Sequence, residues 1–180
     1  SGGGVFYSDA MDELGSFAIK HNTPVTQTVM GYSTMKRDHS HFLGPIGGLG
    51  GRAANNLAKE TDLAICVGTK LADFTTGSWA NFENPEFKLV SINIARHDAN
   101  KHLAEAVIGD AKVCLSELSN SLGNWKSPDS WHKKSQDELK SWNEYVDKES
   151  GPTNQETPNY AHAVGAIYRN SDPTDIAVTA

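Results

Sequence analysis

Apolar stretches alternate with amphipathic ones along most of the chain. Residues 62–67 are almost continuously apolar, and residues 88–94 and 105–108 follow the same pattern. Such runs are typical of strands that are buried on both faces of a parallel sheet. Residues 24–29 are rich in β-branched side chains, which also favours a strand. The pattern therefore predicts strands over 24–29, 62–67, 88–94, 105–108 and 175–179.

Helices are predicted between these strands, where apolar residues recur every three or four positions. Asp110 can cap one helix at its start, and Gly123 can end it. Gly2–Gly4 predicts a tight turn, and residues 30–47 have no period and are interpreted as a loop. The predicted helices cover residues 8–21, 52–60, 110–122, 127–149 and 158–169.

Strands that alternate with helices indicate an α/β fold, with a Rossmann-like parallel sheet and helices on both faces. The chain opens on a glycine turn that no strand precedes, and it closes on a strand without a partner. We therefore expect a fold truncated at both ends, whose sheet lacks a central member. We expect another segment to fill that gap, such as residues 175–179 of the same or a neighbouring chain. The polar stretch 151–157 predicts a linker between a domain over 1–150 and a partial one over 158–180.

Composition argues against several classes of protein. The formal net charge of the 180 residues is −6, and no basic stretch is present, which does not favour nucleic-acid binding. No apolar run approaches the roughly 20 residues of a membrane helix, and the start has no signal-peptide pattern. Cys66 and Cys114 lie in apolar stretches and are interpreted as reduced core thiols. These features predict a cytoplasmic protein without nucleic-acid or membrane partners.

Candidate ligand contacts lie where predicted strands end. In open α/β sheets, ligands bind at the carboxyl edge of the strands. Gly2–Gly4 should lie at that edge, and Gly68 follows a buried strand directly. Lys70 and Asp73 come just after it and can either reach a ligand or form a solvated pair.

Other motifs give weaker indications of a functional site. Gly48, Gly50 and Ala53 fit the dinucleotide pattern G-x-G-x-x-A, but they follow a loop rather than a strand, which favours a plain turn into a helix. The pair His39 and His41 has no cysteine or carboxylate at metal-ligand spacing. The chain contains no G-x-S-x-G, no H-E-x-x-H and no phosphate-binding Walker loop. The sequence therefore predicts no catalytic and no metal-ligating residue.

Several segments together resemble the central domain of thiamine-diphosphate-dependent enzymes. They are Gly2–Val5, the apolar strand with its G-x-K-x-x-D continuation over 64–76, Ser91–Ile94, and Ala106–Ala111 with its Gly-Asp pair. Within that family, residues 2–8, 44–54 and 73–76 are most similar to the branch that hydrolyses a C–C bond of a cyclic dione in inositol breakdown. Acetolactate synthase and its relatives share the same segments. Residues 159–180 look like the start of the family's diphosphate-binding domain.

The resemblance implies a parent enzyme with three domains that binds thiamine diphosphate and Mg²⁺ between its first and last domains and forms a homo-oligomer. The catalytic glutamate and the Gly-Asp-Gly motif of those domains have no match here, since Ala111 follows Gly109 and Asp110. The resemblance therefore implies an inactive piece whose partners are the other domains of the parent. Some relatives hold FAD or ADP at the sheet edge, which is not expected to be occupied in the hydrolase branch. The positions matching those contacts are Gly3, Gly4, Gly68, Lys70, Asp73 and Asp110.

Two other functions stay open at this point. The shared edge of the glycine turn, residues 68–73 and Asp110 is also compatible with a stand-alone nucleotide-binding module. A sirtuin-type deacylase has a similar fold, but it needs zinc cysteines, and the chain has only two cysteines.

Overall fold

The computed structural model describes residues 1–172 and 174–176. The chain consists of two compact units, Ser1–Leu139 and Lys140–Ala180. The predicted domain bounds at residues 150 and 158 stay predictions.

The first unit contains five strands in two parallel sheets. A two-stranded sheet pairs β1 (Val25–Gln27) with β2 (Phe42–Pro45), and a three-stranded sheet has the order β3 (Leu63–Val67), β4 (Lys88–Asn93), β5 (Glu105–Ile108). Val67 pairs with Ile92 across β3 and β4. The all-parallel pairing confirms the predicted Rossmann-like α/β class.

Helices connect and flank these strands. The first unit contains α1 (Gly3–Tyr7), α2 (Met11–His21), α3 (Arg52–Glu60), α4 (Asp73–Thr76), α5 (Arg96–Ala99) and α6 (Ala111–Leu122). Short 3₁₀ turns lie at Val29–Gly31 and Lys101–Leu103, α7 spans Asp129–Glu149, and α8 spans Tyr160–Asn170. The Asn159 side chain caps α8 by accepting from the His162 amide at 2.9 Å.

The hydrophobic core forms where α2 and α6 pack against the three-stranded sheet. Phe17 of α2 and Leu115 of α6 are buried together with Val67 of β3 and Ile92 of β4. On α3, four apolar residues at helical spacing are buried: Ala53, Ala54, Leu57 and Ala58. The predicted apolar stripes of α3 and α6 are therefore the faces that these helices bury.

Three expectations about local structure need correction. Gly2–Gly4 is not only a turn, because Gly3 and Gly4 begin the short helix α1. The predicted loop 30–47 contains β2, whose residues Phe42–Pro45 gain their ladder from β1 rather than from any pattern of their own. Of the predicted strand 175–179, Asp175 and Ile176 are described and lie outside any strand, whereas residues 177–179 lie outside the described residues.

β1 and β3 belong to separate sheets and lie on either side of an interruption. A cavity of about 800 Å³ lies there, bordered by both strands. Within residues 1–139, no strand lies between β1 and β3. The expectation that residues 175–179 fill the gap stays a prediction. Within the same described part of the chain, we find no helix that is both long and apolar enough to cross a bilayer.

Candidate functional site at the carboxyl edge of the sheet

The carboxyl ends of β3, β4 and β5 meet around a small cavity of about 240 Å³. We call it the edge cavity. The peptide turns that follow the three strands form most of its wall, as expected for an open parallel sheet. Its lining residues are Gly4, Tyr7, Ser8, Gly68, Ile92, Asn93, Ile94, Gly109, Asp110 and Ala111.

Gly4 and Gly68 bring two backbone segments into direct contact at this cavity. The Gly4 amide donates to the Gly68 carbonyl at 2.9 Å. A Cβ on Gly4 would lie 2.5 Å from the Gly68 Cα, and Gly68 has a φ of +62°. Both positions therefore need glycine for packing within the chain, whether or not a ligand binds.

Asp110 uses its carboxylate to cap α6. Its Oδ1 accepts from the Lys112 amide at 2.9 Å and from the Val113 amide at 3.2 Å. These amides are the donors that would otherwise be available to an anion at the helix start. The carboxylate therefore takes the place that a ligand phosphate would need at α6.

The other three predicted site residues do not line the edge cavity. Gly3 packs against the 3₁₀ turn, since a Cβ added at this position would lie 3.0 Å from the Met30 carbonyl oxygen. Asp73 begins α4, and its carboxylate accepts from the Ser78 hydroxyl at 3.2 Å. Lys70 is exposed. The structure therefore brings together Gly4, Gly68 and Asp110 but not Gly3, Lys70 and Asp73.

Three lining residues were missed by the sequence interpretation. Ser8 donates from its hydroxyl to the Gly4 carbonyl at 2.9 Å, and Tyr7 is largely exposed beside it. Asn93 ends β4, and its amide nitrogen donates to the Thr69 carbonyl at 3.1 Å. A polar residue at the end of a buried strand was the available indication for Asn93. Tyr7 and Ser8 reach the edge only because α1 replaces the predicted turn.

The edge cavity does not fit a diphosphate with its metal ion. Such a group needs oxygen ligands that converge on the cation, and the described residues contain no group of three His, Cys, Asp or Glu side chains that could hold a metal ion. Asp110, the acidic residue that lines the cavity, is committed to the helix cap. No step of thiamine chemistry can be derived from these side chains.

Three histidines lie together in the first unit, and both cysteines are free. His41 is buried and stacks on His132 with ring centroids 4.2 Å apart. Burial lowers the pKa of His41 to about 4, helped by the neighbouring His132 and His39. Burial raises the pKa of the Cys66 thiol to about 11, and both cysteines are free, which favours inert thiols over reactive ones.

The glycine cluster 47–51 is held by bonds within the chain. The Gly47 amide donates to Asn55 Oδ1 at 3.0 Å, and the Gly48 amide donates to the Phe74 carbonyl at 2.8 Å. Both donors that a dinucleotide phosphate would need are thus already paired. This arrangement supports the plain turn into α3 over a dinucleotide fingerprint.

Comparison with known proteins gives a consistent result. The family model described as "Thiamine pyrophosphate enzyme, central domain" matches residues 1–118. A protein of Clostridium perfringens (strain 13 / Type A), named 3D-(3,5/4)-trihydroxycyclohexane-1,2-dione hydrolase, is 46% identical over 121 residues, which is 67% of this chain and 19% of that protein. A protein of the same name from Clostridium botulinum (strain Eklund 17B / Type B) is 40% identical over 147 residues, covering 82% and 23%.

A third relative comes from Bacillus cereus (strain AH820) and carries the same name. It is 45% identical over 121 residues, again 67% of this chain and 19% of the relative. The chain thus spans about a fifth of the length of the curated relatives it matches.

Proposed function

This chain belongs to the family of thiamine pyrophosphate enzyme central domains, and on that premise we propose that it is the non-catalytic central domain of a C–C hydrolase acting on trihydroxycyclohexane-1,2-dione. The observation that carries the proposal is the 40–46% identity to relatives named for that hydrolysis. The expectation of a hydrolase-branch parent over an acetolactate-synthase-like one rests on the same observation.

The side chains of the edge cavity support a structural role. Asp110 caps α6, and Gly4 and Gly68 pack against each other. None of these groups is positioned to attack a carbonyl or to transfer a proton, because each is engaged within the fold. On this proposal, the chain separates and supports the domains that bind thiamine diphosphate and Mg²⁺ in the parent enzyme. That cofactor supplies the carbanion chemistry of the parent, and nothing of it falls to residues 1–139.

A chimeric enzyme tests this proposal. Residues 1–118, which match the family's central domain, would replace the corresponding stretch in the Clostridium perfringens relative, with its other domains left intact. We expect the chimera to retain hydrolysis of the cyclic dione, and we expect the 180-residue chain alone to show none with thiamine diphosphate and Mg²⁺. Folded chimera without dione hydrolysis, or turnover by the chain alone, would contradict the proposal.

Nucleotide binding is the second candidate function, and one observation favours it: Gly4, Gly68 and Asp110 converge on a cavity at the carboxyl edge. Its volume of about 240 Å³ lies below the roughly 300–1,000 Å³ of ordinary ligand pockets, so ADP or FAD would require the edge to open. A thermal-shift series with ADP, FAD and NAD separates the two functions. A ligand at 100 times its dissociation constant should stabilise the fold by about 2.7 kcal/mol.

The partners proposed for the chain are the other domains of its parent and a second copy of that parent in a homo-oligomer. The domain proposal assigns residues 1–150 to the central domain, 151–157 to a linker and 158–180 to the start of the diphosphate-binding domain. Limited proteolysis of the intact parent tests this assignment. First cuts within 151–157 would support it, and first cuts elsewhere would contradict it.

A further inference from the structure

Three histidine side chains lie together where the segment before β2 meets the first turn of α7. His41 directly precedes β2, and its ring stacks on the ring of His132 in α7, with centroids 4.2 Å apart and planes inclined by 22°. The centroid of the His39 ring lies 5.9 Å from that of His41. We call these three residues the histidine cluster. All of it belongs to the first unit, Ser1–Leu139.

The inside of the histidine cluster is closed to solvent. His41 is only 7% exposed. The Nδ1 atom of His132 is also buried and has no hydrogen-bond partner among the described residues. An unpaired buried ring nitrogen is unfavourable, so the stacking on His41 has to offset that cost.

The hydrogen bonds of His41 fit a neutral ring. The Asn22 Nδ2 atom donates to the Ser127 carbonyl at 3.2 Å and to Asp129 Oδ1 at 3.1 Å. Asn22 therefore presents its oxygen to His41 Nε2 at 3.3 Å, and Nε2 carries the hydrogen. The Nδ1 atom of His41 then accepts from the Ser40 hydroxyl at 3.0 Å. Both ring nitrogens are thus paired without a charge.

The titratable groups that face His41 add to the effect of burial. Burial lowers the pKa of His41 to about 4, and His132 of α7 and His39 of its own segment lower it further in that direction. At the end of α2, the neutral amide of Asn22 faces the ring, and the Asp129 carboxylate is bonded to this amide. Exposed charges that are close in sequence are Lys36, Arg37 and Asp38 before the cluster, and Lys133 with its partner Asp137 on α7.

Polar bonds around the histidine cluster join the same two parts of the chain. Gln136 Nε2 donates to the Ser40 carbonyl at 2.9 Å. The Ser127 hydroxyl donates to the Asn22 carbonyl at 2.9 Å, and the Ser127 amide donates to the His21 carbonyl at 2.9 Å. The start of α7 is therefore held at the end of α2 and at the segment before β2.

A proton added to His41 makes this arrangement unfavourable. The ring would carry a buried positive charge against a second imidazole, and a buried charge without a partner is costly. Exposure of His41 to water removes that cost. Because the pKa of His41 is about 4 in the fold and 6.5 when unperturbed, the proton is taken up first where the ring is exposed. A fall in pH from 6.5 towards 4 therefore favours the exposed ring.

We propose that the histidine cluster is a pH-sensitive latch, which holds the start of α7 against the segment before β2 while His41 is neutral and releases it when His41 is protonated. The released part comprises residues 127–132. Lys134, further along α7, forms an ion pair with Glu60 of α3 and marks its end. Acidification then detaches the beginning of one helix while α2, α6 and the three-stranded sheet stay folded.

Hydrogen exchange of the full 180-residue chain, measured by NMR at pH 7 and pH 5 and corrected for the intrinsic rate of each amide, tests the latch. The reporters are the Ser127 amide, bonded to the His21 carbonyl, and the Trp131 amide, bonded to the Pro128 carbonyl. We expect the protection of both to fall roughly 10-fold between pH 7 and pH 5, because one histidine takes up its proton on release. Unchanged protection of both amides would overturn the proposal.

Low concentrations of urea distinguish local release from unfolding of the whole unit. Local release exposes little surface, so the exchange of Ser127 and Trp131 should not change with urea, whereas the Gly68 amide, bonded to the Ile92 carbonyl in the sheet, should exchange faster. If the two reporter amides respond to urea as Gly68 does, they exchange through global unfolding and the latch does not exist.

Two substitutions assign the response to His41. His41→Phe keeps a ring against His132 and removes the titration, so the protection of Ser127 should change by less than about 2-fold between the two pH values. His97→Gln is the matched control, since His97 is exposed and lies outside the cluster, and it should keep the full response. A full response in a folded His41→Phe chain would contradict the proposal, and the urea series on the unsubstituted chain tests it even where that variant does not fold.

Discussion

Two cavities border β3, and they differ in volume and in the residues that line them. The cavity between β1 and β3 measures about 800 Å³, and its lining combines apolar side chains such as Phe17 and Leu115 with polar ones such as Thr26. The edge cavity measures about 240 Å³ and is lined by glycines, by apolar residues such as Ile92 and Ile94, and by polar side chains such as Asp110 that are hydrogen bonded within the chain. Volume alone would place a ligand in the larger opening.

The comparison shows that the residues lining a cavity, and not its volume, indicate what the cavity can bind. The larger cavity separates two strands that Ser1 and Gly2 connect at one end, through hydrogen bonds to the Thr26 and Val67 carbonyls. The small cavity lies where α/β folds bind ligands, but Asp110 and the contact of Gly4 with Gly68 use its groups for the fold. Substitutions and a change of pH can test this comparison.

The largest expected effect comes from Gly4→Ala at the edge cavity. The new Cβ would lie 2.5 Å from the Gly68 Cα, and backbone cannot move aside cheaply. We expect a loss of about 3 kcal/mol in the free energy of unfolding, measured by urea denaturation. Gly44→Ala is the control, because its Cβ meets nothing within 4 Å and the cost is only that of a φ of +98°, about 1–2 kcal/mol. Equal losses in both variants would show that the contact at the edge is not tight.

Lowering the pH tests whether the two openings belong to one cooperative unit, because His41 lines neither of them. Its pKa is about 4 in the folded chain, against 6.5 for an unperturbed histidine. The unfolded chain therefore takes up the proton first as the pH falls, and stability is lost progressively from about pH 6.5 to pH 4.

Because neighbouring solvent screens this effect, we expect a loss on the order of 1–2 kcal/mol from His41. His41→Phe keeps a ring against His132 and removes the titration, so its urea midpoint should depend less on pH over this range. Parallel pH dependence of the two proteins would assign the acid sensitivity to other groups. The Gly68 amide donates to Ile92 and the Gly109 amide donates to Asn93, so exchange at both should increase together if β3 and its edge unfold as one unit.

Asp110→Ala separates capping from ligand binding at the edge cavity. Removing the carboxylate leaves the amides of Lys112 and Val113 without their acceptor and should cost about 1 kcal/mol in thermal unfolding. Asp110→Asn keeps an acceptor oxygen and should cost much less. A stability unchanged in Asp110→Ala would mean that the cap is dispensable, which would favour a ligand role for this side chain.

The smallest effect is expected for Lys70→Ala. Lys70 is exposed and does not line the edge cavity, so its removal should change the free energy of unfolding by no more than about 0.5 kcal/mol. Its removal should also leave any thermal shift by ADP unchanged. A lost ADP shift would place Lys70 in a nucleotide site and would contradict its separation from the edge.

Local sequence pattern was sufficient to predict elements whose apolar residues are continuous or regularly spaced. The continuous apolar run of β3 and the spacing of Ala111 and Leu115 in α6 predicted both elements, because burial dictates those residue types. The same reasoning located Gly4, Gly68 and Asp110 at one edge, since a parallel sheet brings its strand ends together. It could not exclude Gly3, Lys70 and Asp73, because the directions of side chains beyond a strand depend on the turns that follow.

The sequence by itself determined the α/β class, the parallel pairing of the strands and the cap at Asp110. Each follows from residues that are close together in the chain. Only the tertiary structure decided that Phe42–Pro45 forms β2, that Gly3–Tyr7 coils into α1, and that Ser1 and Gly2 pair with two strands at once. These features depend on partners distant in sequence, because a strand of three or four residues gains its stability from the ladder beside it and not from its own pattern.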